Sequence, residues 1–100
     1  IGYYFPPSDP SIKDISSLEI LQKCRNLAQD QRAEIVNIDS TLIVEAPRVL
    51  PYRERMQSKV GDALGLLPSL VGIKATTNEK MGFVGREEGI AAMAVASVRC

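Results

Sequence analysis

The sequence predicts a single domain over residues 1–100, of the α/β (α+β) class, with helices on one face of a sheet. Three observations predict it. One hundred residues is the size of one ordinary domain, enough for one core and too few for two. Two runs rich in β-branched and aliphatic residues, 34–46 and 71–76, are separated by an amphipathic helical stretch. A second helical stretch precedes the first run, and such alternation is the pattern of helices layered on a sheet.

The elements follow in order. Residues 1–10 carry Pro6, Pro7 and Pro10, which exclude helix or central strand. The aromatics Tyr3, Tyr4 and Phe5 make this more than a solvated linker; they either pack on the domain or line a ligand. Ser16 and Glu19 match a capping box, and a helix is predicted over 17–31. Its apolar stripe runs through Leu18, Leu21, Cys24 or Arg25, and Leu27 with Ala28. The strand over 34–46 is almost continuously apolar from Thr41 to Val44, as in a strand buried on both sides, while Asn37 and Asp39 suit its solvent side. Prolines stiffen the loop 46–51 at both ends, and Pro51 suits the first turn of a helix. That helix, 52–64, carries Met56, Val60, Ala63 and Leu64 on one stripe, and Gly65 closes it. Residues 71–76 form a strand, 78–81 fit a single helical turn, and 90–99 read as either an alanine-rich helix or a buried strand.

Composition excludes several functions. The formal net charge is zero, with no basic face for nucleic acid. No apolar run is long enough to cross a bilayer as a helix, and no signal-peptide pattern opens the chain. Cys24 and Cys100 form neither a ligand spacing nor a disulfide framework, so reduced surroundings are the default. There is no histidine, which removes the commonest general base and the commonest zinc ligand from this chain. The start at Ile1, inside a loop and without Met, predicts a fragment whose sheet edges a further N-terminal segment would cover.

Chemistry concentrates in residues 74–90. Thr76 and Thr77 place adjacent hydroxyls before the carboxylate of Glu79, with Lys74 and Lys80 on either side. Gly82, Gly85 and Gly89 then bracket Phe83 and Arg86. Hydroxyls, a guanidinium and glycines that permit close approach suit phosphate oxygens. A lone carboxylate among them suits Mg²⁺, which takes one or two carboxylates and completes its shell with water and substrate phosphates. The same residues also suit a plain polar turn. The loop 46–51 can read a base edge through its backbone N–H and C=O groups.

Three segments together resemble the 2-C-methyl-D-erythritol 2,4-cyclodiphosphate synthase family, over its C-terminal two-thirds. They are Ile1-Gly2 with Phe5-Pro6 and Ser8-Asp9-Pro10; Asn37-Ile38-Asp39 through Ala46-Pro47-Arg48 and Pro51; and Lys74 through Lys80 with Gly82-Phe83, Gly85-Arg86 and Glu88-Gly89-Ile90-Ala91. The resemblance implies a homotrimer of α/β subunits. Each has a four-stranded sheet facing the threefold axis, and active sites lie between subunits. It implies a phosphorus–oxygen lyase of non-mevalonate isoprenoid (terpenoid) biosynthesis. The substrate is a cytidine diphosphate, 4-diphosphocytidyl-2-C-methyl-D-erythritol 2-phosphate, which closes to the cyclic diphosphate with loss of CMP.

By position, the resemblance makes Thr77 and Glu79 the catalytic residues, with Glu79 holding Mg²⁺ or Mn²⁺ and Thr76 beside them. Ala46, Arg48, Val49 and Leu50 would recognise cytosine through their backbone, with Pro47 shaping the loop. Gly2, Phe5, Pro6 and Asp9 would contact the methylerythritol phosphate. Phe83 and Arg86 would lie toward the trimer centre and the 2-phosphate. The family's Zn²⁺ is held by an Asp-x-His pair and a further His, none of which this chain contains, so zinc ligands are expected only in a segment N-terminal to it. Pro7 and Met93 also depart from the family pattern: Pro7 stands where relatives are often acidic, Met93 where some carry a charge toward the axis. A bacterial cytoplasm is implied, with plastid-type relatives as the other setting. The alternative is a non-catalytic cytidine-nucleotide-binding or trimerising module that lacks the zinc half.

Overall fold

A computed structural model describes residues 2–12 and 15–100. Ile1, part of the first family-like segment, lies outside the described residues. In chain order the elements are α1 (Ser17–Asp30), β1 (Glu34–Ile43), α2 (Arg53–Leu64), β2 (Val71–Thr76), the one-turn α3 (Gly82–Gly85) and β3 (Ala91–Arg99). Short 3₁₀ turns at Pro10–Ile12, Leu50–Tyr52 and Pro68–Leu70 complete the path.

β1 is the central strand. β2 pairs with it in parallel from Ile38 opposite Val71 to Ile43 opposite Thr76. β3 pairs antiparallel on the other side, from Glu34 opposite Arg99 to Ile43 opposite Ala91, with a register shift between Ile35 and Asn37. The described residues thus form a three-stranded sheet ordered β2-β1-β3, where the family resemblance implies four strands. Residues 90–99, open to two readings in sequence, form a strand. Alanine's helix preference is small, and pairing with β1 satisfies a whole row of backbone donors and acceptors, so tertiary context decides.

Ser16 caps α1, its Oγ accepting from Leu18 N at 3.2 Å, but among the described residues Glu19 returns no side-chain bond, so only the Ser16 half of the expected capping box forms. The inward stripe of α1 decides between the two residues the sequence left open. Arg25 is half-buried and Cys24 is exposed, because the stripe steps 18, 21, 25, 28 at close to 3.6 residues per turn. The Arg25 guanidinium covers Gly65, where a Cβ would lie 2.7 Å from its carbon. Gly65 ends α2 at φ 71°, the left-handed conformation glycine adopts freely.

Both helices lie on the sheet face that carries Val71 and Ile73. The buried hydrophobic side chains are Val44, Ala63, Leu64, Val71, Ile73 and Val84, and Val71 is only 1% exposed. Gln57 Nε2 donates to Val71 O at 2.8 Å, fastening α2 to β2. The opposite face is open. It carries the Lys74–Asp39 ion pair at 3.0 Å, with Met93 63% and Val95 70% exposed. Asp39 is therefore a solvent-side strand residue, as its alternation predicts.

Candidate functional site

A cavity of about 250 Å³ opens where the two parallel strands end. Val44, Glu45, Pro47, Arg48, Val49 and Leu50 line it from the segment after β1. Ala75, Thr76 and Thr77 line it from the end of β2. The crevice outside the carboxyl ends of parallel strands is where open α/β sheets bind ligands. The parallel register brings the end of β1 and the end of β2 to one edge, so residues about thirty apart in sequence meet there. Two of the three family-like segments thus face each other across one cavity. Ala46 is exposed beside it and joins Pro47 through a cis peptide. A neighbouring hollow of about 300 Å³ shares Val49, Leu50 and Ala75 and adds Arg53, Ile73 and Lys74, the last with its ammonium paired to Asp39.

The geometry after β2 is specific. Val44 N donates to Thr76 O at 2.9 Å, extending the strand pairing to the cavity rim. The Thr76 hydroxyl donates to Thr77 O at 3.2 Å. Thr77 Oγ1 accepts from Glu79 N at 3.4 Å, which leaves its own proton to donate elsewhere. Residues 78–81 are not the helical turn their sequence suggests. Met81 N donates to Asn78 O at 3.0 Å across a tight turn whose central residues, Glu79 and Lys80, have φ of 52° and 61°. Positive φ at both central positions marks a type I′ turn, costly for residues with a side chain. The helical turn follows it, as α3.

Three contacts hold the turn. Glu45 Oε1 accepts from Asn78 N at 2.8 Å and from Lys80 N at 3.2 Å. Asn78 Nδ2 donates to Met81 O at 2.7 Å. Gly85 presents a bare Cα to Lys80, where a Cβ would overlap the Lys80 carbonyl carbon. Sequence reasoning passed over Glu45. The signal was present: a charge inserted between the apolar end of β1 and the Ala46-Pro47 loop.

Other predicted residues lie elsewhere in the chain. Among residues 2–9, Gly2 is exposed and Phe5, Pro6 and Asp9 are half-buried, but none lines the cavity. This loop leans on α1, with Lys23 Nζ 5.2 Å from the Tyr4 ring centroid and Tyr3 edge-on to Tyr4. Asp9 accepts from Ser11 N at 2.9 Å and Ser11 Oγ at 2.8 Å, and these bonds, the backbone one first, hold its carboxyl below the ordinary value. Phe83 is exposed and stacks beside Gly89. Arg86 grips Glu88 through Nε at 2.9 Å and through Nη2 at 3.2 Å. Within one chain neither Phe83 nor Arg86 reaches the cavity lining.

The side chains fit one divalent cation and not the other. Glu79 is exposed, and its carboxylate has no hydrogen bond or ion pair among the described residues. Glu45 has one carboxylate oxygen, Oε1, occupied by two amides. One free carboxylate suits Mg²⁺ or Mn²⁺ shared with a phosphate ligand. Zinc does not fit. Among the described residues no three His, Cys, Asp or Glu side chains cluster, and the sequence holds no histidine.

Comparison with known proteins bears on the whole chain. A family model described as the YgbB family matches residues 1–99. A protein of Akkermansia muciniphila named 2-C-methyl-D-erythritol 2,4-cyclodiphosphate synthase is 57% identical over 98 residues, covering 98% of this chain and 58% of that protein. The solved bifunctional IspDF from Campylobacter jejuni superposes with a TM-score of 0.92 at 32% identity, over 98% of this chain and 27% of that one. An IspF structure of Plasmodium falciparum in complex with CDP superposes with a TM-score of 0.81, over 98% of this chain and 57% of that one; at 24% identity it supports the fold alone. The chain therefore spans well under two-thirds of the length of these proteins.

Proposed function

The chain belongs to the YgbB family, and on that premise we propose that it is part of a 2-C-methyl-D-erythritol 2,4-cyclodiphosphate synthase subunit. The observation that carries this reading is the cavity at the ends of β1 and β2, with loop 46–50 on one wall and the threonine pair on the other. It suits a nucleoside diphosphate whose base meets exposed backbone and whose phosphates meet hydroxyls. The substrate is 4-diphosphocytidyl-2-C-methyl-D-erythritol 2-phosphate. An oxygen of its 2-phosphate attacks the β-phosphorus. The bond from that phosphorus to the bridging oxygen breaks, and CMP departs with the oxygen. Positioning and charge stabilisation supply nearly all the acceleration of such a transfer.

The chain's own residues have distinct tasks in this reading. The backbone of Ala46, Arg48, Val49 and Leu50 orients cytosine. Thr76 and Thr77 hold the diphosphate, the Thr77 hydroxyl donating to the β-phosphate. Glu79 fixes Mg²⁺ or Mn²⁺, which when bound neutralises charge on the phosphates. Among the described residues no cluster of ligating side chains suits Zn²⁺, so its ligands would come from sequence that the longer relatives possess and this chain does not span. Gly2, Phe5, Pro6 and Asp9 serve the methylerythritol phosphate in a site completed by a neighbouring subunit of a homotrimer, whose open sheet faces meet at the axis. Phe83 and Arg86 lie toward that centre. The setting is the bacterial cytoplasm.

The test is turnover by the full-length polypeptide carrying this chain, supplied with the cytidine substrate, Mg²⁺ and Zn²⁺ and followed by ³¹P NMR. Cyclic diphosphate and CMP should appear together, and metal analysis should find zinc. CMP binding without turnover or zinc would leave only a nucleotide-binding module.

A further inference from the structure

We infer that Glu45 is a positioning residue: its carboxylate clamps the strained 78–81 turn against the end of β1 and so places Thr77 and Glu79. The inference deepens the functional reading above and rests on it for its kinetic part. The geometry stands by itself.

Glu79 and Lys80 both adopt left-handed backbone at φ 52° and 61°, although neither is glycine or asparagine. Such residues persist only where the surroundings over-determine them. Glu45 Oε1 supplies that determination by accepting from Asn78 N and Lys80 N, the amides one residue before and one residue after Glu79. A single oxygen thereby ties one wall of the cavity, which Glu45 lines directly before the Ala46-Pro47 loop, to the turn that follows Thr77 on the other wall. Gly85 closes the turn from the far side by offering no Cβ to Lys80. The arrangement also explains a carboxylate beside a proposed diphosphate site. One oxygen of that carboxylate is held by two backbone amides, bonds that its charge strengthens.

The chemical requirement is an acceptor at this point, not a charge. Glu45→Gln retains an amide oxygen that can take both N–H groups. Glu45→Ala and Glu45→Met remove the acceptor, and Met keeps the side-chain length. In the full-length polypeptide, Glu45→Ala should speed hydrogen exchange at the Asn78 and Lys80 amides by about tenfold or more, the scale of one lost charge-assisted bond. It should lower kcat for the cytidine substrate by about as much while KM moves little, because cytosine is read by residues 46–50 rather than by the turn. Glu45→Gln should restore both. Should Glu45→Ala fail to fold, Glu45→Met carries the same expectation. Unchanged exchange in the Ala or Met variant overturns the clamp, and so does a Gln variant as impaired as Ala. If the unsubstituted polypeptide shows no turnover, the functional reading falls, and the exchange data still judge the clamp.

Discussion

Glu79 is the residue on which the proposed chemistry turns. Its carboxylate is exposed and unpartnered among the described residues, which is what a shared cation site requires. Glu79→Gln keeps the shape and removes the charge. In the full-length enzyme it should abolish the dependence of rate on Mg²⁺ and cost about 2–4 kcal/mol in the barrier, the range for losing one electrostatic stabiliser. Steady-state rates across a Mg²⁺ titration check this; undiminished, metal-dependent turnover would remove Glu79 from the site. Arg48→Ala should barely change kcat, because the loop reads the base through main-chain atoms. Asp9 offers a second residue-level expectation. Ser11 depresses its pKa below 3.8, so its contribution is present above the unfolded value and is lost as pH falls through the lower, folded one. A side-chain NMR titration should place its midpoint below 3.8, and Ser11→Ala should move the midpoint upward.

At the scale of elements, the capping of α1 and the packing of α3 against the turn invite different outcomes. Ser16→Ala removes the acceptor for Leu18 N and should cost about 1 kcal/mol in urea unfolding, with no effect on nucleotide affinity. Gly85→Ala forces a methyl group into the Lys80 backbone. It should cost about 1–3 kcal/mol, as overpacking does, and should also impair turnover, because the turn that shifts is the one bearing Glu79. Equal catalytic loss in both variants would mean that activity tracks general stability. α1, α2 and β2 were legible in sequence within a residue or so at each end, since periodicity, the Ser16 cap and Gly65 are local signals, whereas α3 lies just past the 78–81 stretch expected to be helical. β3 was not, because alanine-rich segments take their conformation from what they pair with.

For the whole molecule, the open sheet face sets the main expectation. Met93 and Val95 are largely exposed on it beside the Lys74–Asp39 pair. If three copies bury this face, the midpoint of thermal unfolding should rise with protein concentration. Calorimetry over a hundredfold range of concentration, on the order of micromolar upward, checks it; a constant midpoint would speak for monomers.

The sequence by itself determined the α/β layering, the two candidate loops and the identity of Thr76, Thr77 and Glu79 as the polar cluster. Those features rest on periodicity and side-chain chemistry, which are written in neighbouring residues. The tertiary structure decided the rest. Parallel pairing of β1 with β2 carried two distant loops to one edge, and only that proximity let the Glu45 carboxylate reach the amides of Asn78 and Lys80. A left-handed turn at two residues with side chains cannot be read locally, because two of the hydrogen bonds that hold it are accepted by a carboxylate more than thirty positions earlier in the chain.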